Sequence, residues 1–185
     1  MDKGFIIIIL ILVLFCVFCF YMAIKTSKAR KKGKQNRKQN LIDRNADFSA
    51  KLKHFYGLPI SEGAMVDCYW CTDKIIFEGS GLSFNLSFEK LTDVSMKTDV
   101  EIQKQYVSSA GGAVAGAVMF GALGALIGGR TKEKTSKQVN QYLIFTYLND
   151  EEVKYIAFDV YSNIGIKFIN AYQILNKSNN KSFDL

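Results

Sequence analysis

"DKIIFEGSGLSFNLSFEKLTDVSM", Asp73 to Met96, alternates apolar and polar residues through its middle. Leu82, Phe84, Leu86 and Phe88 fall on one side of an extended chain and Ser83, Asn85, Ser87 and Glu89 on the other, the period of a strand with one wet face. "KIIFEG" ahead of it is β-branched and aromatic, and "EGSG" marks the turn between the two. Toward the N-terminus, "MVDCYWC" (Met65–Cys71) puts Val66, Cys68 and Trp70 on one face and joins the pair through the turn "CTDK". Toward the C-terminus, "LTDVSMKTDVEIQ" reads as a fourth strand, and "NQYLIFTYL" and "EEVKYIAFDV" as two more around the turn "NDEE". These spacings describe an antiparallel meander. "YSNIGIKFINAYQILNK" then reads as a helix with Ser162 as N-cap and Ile164, Phe168, Tyr172 and Leu175 on one face.

About six strands followed by one helix resembles the pleckstrin-homology-like fold in its bacterial PH and GRAM-like variants. The stretch Asp73–Met96 and the runs "YLIFTY", "YIAFDV" and "FINAYQIL" carry the likeness, which covers Ala64 to Leu175. It implies an α+β fold, mostly antiparallel β, with a bent sheet and a C-terminal capping helix over residues 61–178. Phosphoinositide-binding members carry basic residues around the first hairpin. Here "CTDK" offers only Lys74, so the resemblance does not carry over a headgroup pocket.

Upstream the chemistry changes. Phe5 to Ile24, "FIIIILILVLFCVFCFYMAI", holds 20 residues without a charge, which at about 1.5 Å per residue matches a hydrocarbon core of about 30 Å. The stretch is longer than a signal-peptide core, its cations follow rather than precede it, and no small-residue cleavage site comes after. Residues 1–24 therefore read as an uncleaved transmembrane anchor. Eight cations follow without an acid: Lys25, Lys28, Arg30, Lys31, Lys32, Lys34, Arg37 and Lys38. Such a block stays cytoplasmic and attracts anionic lipid headgroups, so the expected placement is single-pass in a bacterial inner (plasma) membrane, N-terminus outside and C-terminal domain in the cytoplasm. Outside the block, 16 cations face 17 acids, so the net charge of +7 belongs to one segment. That segment has no aromatic residue to stack on a base, which argues against nucleic acid as a partner.

Residues 25–40 read as a basic linker, and 41–60 as an amphipathic helix and turn, because Leu41, Phe48, Leu52 and Phe55 recur at helical spacing before "GLPISEG". Residues 179–185 read as a flexible tail. Cys16 and Cys19 lie in the span, and Cys68 and Cys71 on a strand. With His54 the only histidine, no zinc site can be assembled around them.

The segment from Ala110 to Gly129 departs from both patterns. Its 20 residues carry no charge, and Gly112, Gly116, Gly124 and Gly128 repeat every four positions beside a second rail of Ala113, Ala117, Gly121, Ala125 and Gly129. Small residues at that spacing let helix backbones approach closely. A single crossing would put the strands on either side of it across the membrane from each other. The expectation is therefore a helical hairpin, residues 107–130, turning near Met119 to Gly121. The expectation is that it faces the bilayer; the alternatives are that it packs on the sheet or on a second copy, or stays a flexible glycine loop. Similar insertions are familiar from small membrane-anchored proteins of Gram-positive bacteria and their phages.

No cofactor and no catalytic function are expected. His54 has no paired nucleophile, the glycines lack phosphate-loop spacing, and Asp67, Asp73, Asp93 and Asp99 read as solvated carboxylates. The sequence reads as a membrane-anchored binding or assembly module contacting lipid, a protein partner or a second copy. The alternative is a membrane-perturbing effector whose zippers oligomerise in the bilayer.

Overall fold

The structure is a computed structural model that describes residues 3–111, 120–133, 139–161 and 163–180. The chain forms two units, Met1–Asn45 and Ala46–Leu185. In the first, helix α1 runs unbroken over Lys3–Asp43. Residues 25–40, expected as a linker, are thus helical, because Lys, Arg and Gln are good helix formers. Phe15 and Phe20, about 140° apart around the axis, are both exposed. The side chains of Phe5 to Val13 lie outside the described residues. Among those described, no helix is long and apolar enough to cross a membrane.

Among the described residues the second unit holds seven strands: β1 (Ala46–Tyr56), β2 (Met65–Cys71), β3 (Lys74–Gly79), β4 (Leu82–Ser87), β5 (Leu91–Thr98), β6 (Gln141–Asn149) and β7 (Glu152–Asp159). They form one sheet in the order β4-β3-β2-β1-β7-β6-β5, and every neighbouring pair is antiparallel. Helix α2 (Asp99–Gly111) and helix α3 (Gly121–Glu133) lie between β5 and β6, and α4 (Ile164–Asn180) closes the unit.

The sheet folds over on itself. Phe77 of β3 lies 5.4 Å from Phe145 of β6 and 5.6 Å from Phe158 of β7. With β2, β1 and β7 between β3 and β6, a flat sheet at about 4.8 Å per strand would hold those first two rings nearly 20 Å apart. The concave face encloses the main core, with Val66, Cys68, Ile75, Phe77, Leu143, Phe145 and Phe158 buried together. α4 caps it with Phe168 and Tyr172, and Leu175 packs at its margin, while Ile164 stays exposed. Gly165 lets α4 approach β5 closely, since a Cβ there would sit 2.3 Å from Met96 Sδ. The proposed N-cap, Ser162, lies outside the described residues, as does the tail beyond Asn180.

β1 corrects the reading of residues 41–60 as an amphipathic helix and turn: residues 41–43 end α1, and Ala46–Tyr56 is a strand. Phe48, Ala50, Leu52 and His54 alternate inward against Asp47, Lys51 and Lys53, a period-two pattern that shares Phe48 and Leu52 with the helical one. Pairing decides between them: β1 bridges β2 and β7 at the sheet's centre, and its removal would leave two open edges in the core. Phe55, the residue that suggested the helical face, points to the opposite, convex side.

Candidate functional site at the helical insert

β5 and β6 are direct neighbours, and Thr98 stands opposite Gln141. Everything from Asp99 to Asn140 is therefore an insertion whose two ends meet at one place on the sheet. The root is tied by backbone. Asp99 N–H donates to Asn140 O at 3.1 Å, and the Asp99 carboxylate accepts from Val100 N–H at 2.9 Å and Asn140 N–H at 3.4 Å. Asp99 is buried, which corrects its reading as a solvated carboxylate. Burial of such a group requires hydrogen bonds of this kind.

α2 starts immediately, correcting "LTDVSMKTDVEIQ" as one strand. Thr98 and Glu101 form a reciprocal cap: the Glu101 carboxylate accepts from Thr98 N–H at 2.7 Å and from its hydroxyl at 2.8 Å, and Glu101 N–H donates to Thr98 Oγ1 at 3.2 Å. This is the Thr-x-x-Glu box that ends a strand by opening a helix. The Thr98 backbone bond first, and then its hydroxyl, hold the Glu101 carboxyl below its usual range.

The hairpin folds back onto the convex face of the sheet. Phe120, Leu123 and Ile127, spaced three and four apart on one face of α3, are buried with Ile102 of α2 against Phe55, Tyr142, Ile144 and Ala157. Burying such side chains contributes about 1.5–3 kcal/mol each. Phe120 N–H donates to the Tyr155 hydroxyl at 3.2 Å, and the two rings lie 5.3 Å apart. Beside this contact an open groove of about 290 Å³ runs between sheet and hairpin, lined in part by Tyr56, Gly57, Gly121, Ala122 and Tyr155.

Of the zipper residues, Gly121 opens α3 with φ of 36°, Gly124 is buried within it, and Gly128 lies in its third turn. Gly112, Gly116 and most of the expected turn lie outside the described residues. All eight cations of the basic block lie on α1; Lys25, Lys34, Arg37 and Lys38 are exposed, and the other four side chains are outside the described set. The structure thus separates the two sets of candidate residues between two units.

His54 is buried and fully engaged: Nε2 accepts from Leu58 N–H at 3.2 Å and Nδ1 lies 3.2 Å from Ser61 O. A neutral ring with the proton on Nδ1 satisfies both contacts. It holds the β1–β2 loop. Asp67 pairs with Lys51 at 3.3 Å. Cys68 sits in the core, where burial and then the Asp67 charge push its thiol well above the usual range. Among the described residues no group of side chains converges that would hold a metal ion.

The residues that fasten the insert were missed at sequence level, although Thr98-x-x-Glu101 and the spacing of Phe120, Leu123 and Ile127 were both readable. The glycine repeat drew the reading toward backbone packing and away from the large residues among the glycines. The model of one protein family, glycine zipper containing PH domain, matches residues 62–162. No curated protein and no solved structure matches the chain.

Proposed function

The chain belongs to the family of glycine-zipper-containing PH domains, and from that premise we propose that it is a membrane-anchored, non-enzymatic binding or assembly module. A PH-like domain suits lipid or protein binding. The anchoring rests on one observation: Phe5–Ile24 is a 20-residue run without a charge, lying within α1, with Leu14, Phe15, Phe18 and Phe20 each more than half exposed. An apolar helix left uncovered on different sides needs lipid around it. The eight cations after it would then meet anionic headgroups on the cytoplasmic side, with the domain from Ala46 onward in the cytoplasm.

The insert fits a supporting role in this reading, since part of its apolar surface is already spent on the sheet. Alkaline carbonate extraction of membranes from bacteria expressing the full chain tests the anchor. The chain should stay with the membrane pellet, and a variant lacking residues 5–24 should be released; release of the full chain would sink the reading. Induced expression while membrane potential is recorded tests the effector alternative. Rapid depolarisation that disappears in Gly116→Leu and Gly124→Leu would favour it.

A further inference from the structure

One end of the PH-like unit is an amphipathic surface built from three chain crossings. Asp99 and Asn140 join the first two: Asp99 N–H donates to Asn140 O, and the Asp99 carboxylate accepts from Asn140 N–H. Val160 N–H donates to Gln141 O at 2.9 Å and brings in the third, the turn from β7 to α4. The residue next to each junction is apolar and exposed: Val100, Val139 at 58% and Tyr161 at 73%. Ile164 and Ile166 in the first turn of α4 extend the exposed apolar set. Lysines flank it. Lys97 lies one residue before the cap, Lys104 shares a helix face with Val100 four positions away, and Lys167 follows Ile166. Of the acids on these elements, Asp99 is buried on backbone N–H groups and Asp159 pairs with Lys53 at 3.4 Å, which leaves Glu101, held by Thr98, as an exposed carboxylate among the lysines.

Exposed apolar residues also occur elsewhere in the unit, and charge separates the cases. Leu148 and Val153 bracket Asp150, Glu151 and Glu152, and Met65 and Leu82 line an open groove with Asp67 and Glu78. Those sites offer no cationic rim: Lys51 is paired with Asp67 and Lys154 with Glu152. The surface at the insert root combines uncovered apolar side chains, an exposed tyrosine suited to the headgroup layer, and a cationic rim.

We propose that this end of the unit, Val100, Val139, Tyr161 and Ile164 with Lys97, Lys104 and Lys167, rests on an anionic lipid bilayer. The structure makes β1–β2, and not the β2–β3 turn at "CTDK", the first hairpin, and the surface is remote in sequence from both. The proposal rests on the anchored reading, which would keep the surface near lipid.

The test uses the full chain in vesicles of phosphatidylcholine with or without phosphatidylglycerol. Tyr161→Trp supplies a fluorescent probe, Trp70 being buried and unaltered, and brominated lipid is the quencher. The introduced indole should be quenched in vesicles containing phosphatidylglycerol and much less without it. Replacing Lys97, Lys104 and Lys167 with Gln should lower the ratio of docked to free domain on the order of a hundredfold, while the chain still floats with the vesicles. Val139→Ser should weaken quenching without touching charge. A chain that floats but leaves the introduced indole unquenched overturns the proposal and leaves the anchor standing. A chain that does not float overturns the anchored reading, and the proposal with it.

Discussion

At Gly57 a single hydrogen atom in place of a methyl keeps the β1–β2 loop against β7. Its φ is 97°, and a Cβ there would sit 2.0 Å from Tyr155 O, a backbone atom with no means of retreat. Gly165 presents the opposite case: its added Cβ would meet Met96 Sδ at 2.3 Å, the end of a side chain with three rotatable bonds. Gly57→Ala should therefore destabilise the unit by about 3 kcal/mol or more. Gly165→Ala should stay within about 1 kcal/mol of the parent, because alanine's better helix propensity offsets part of the shift. Urea unfolding compares the two, and equal losses would refute the distinction between backbone and side-chain collisions. From sequence, Gly57 was legible only as a breaker before Pro59. Its contact with Tyr155 joins residues about a hundred positions apart, and no local pattern encodes that.

Among the elements, α2 depends most on one local device. Thr98→Ala removes the hydroxyl that accepts from Glu101 N–H and should cost about 1 kcal/mol. The cap also sets a pH dependence. Because Thr98 holds the folded-state carboxyl of Glu101 below its usual range, the cap's contribution is complete above the ordinary glutamate pKa of about 4.3. It is lost as pH falls through the lower folded value. Parent and Glu101→Gln should therefore differ in thermal midpoint at neutral pH and converge in acid; a gap that persists at low pH would assign the stabilisation to something other than the carboxylate. The device is visible in "TDVE", yet the strand spacing of Val94 and Met96 runs straight into it. β1 failed for a related reason. Phe48 and Leu52 satisfy both periods, and only long-range pairing with β2 and β7 selects the strand. By contrast β2, β3, β4, β6 and β7 were legible, because alternation or a β-branched and aromatic run between turn residues marks each of them, even where, as in β6, both faces are buried.

At the scale of the molecule, the insert is an addition to a sheet that closes without it. Thr98 and Gln141 are already opposite each other, and among the described residues none of those buried on the concave side comes from Asp99–Asn140. That much was foreseeable, because strands on both sides of the glycine segment had to complete one sheet. Which face the hairpin covers was not, since the choice lies in Phe55, Tyr142, Ile144 and Ala157, scattered over three strands. Replacing Asp99–Asn140 with an Asn-Gly turn should join β5 to β6 as a tight hairpin and preserve cooperative unfolding of the concave core. The same change uncovers the convex cluster, so the shortened chain should bind a hydrophobic dye that the parent does not. Adding Phe55→Ser and Ile144→Thr should remove most of that binding. Loss of cooperative unfolding would mean that the insert is part of the folding core. Retained folding without dye binding would mean that the convex face finds another cover, and the insert would then be free to leave the sheet.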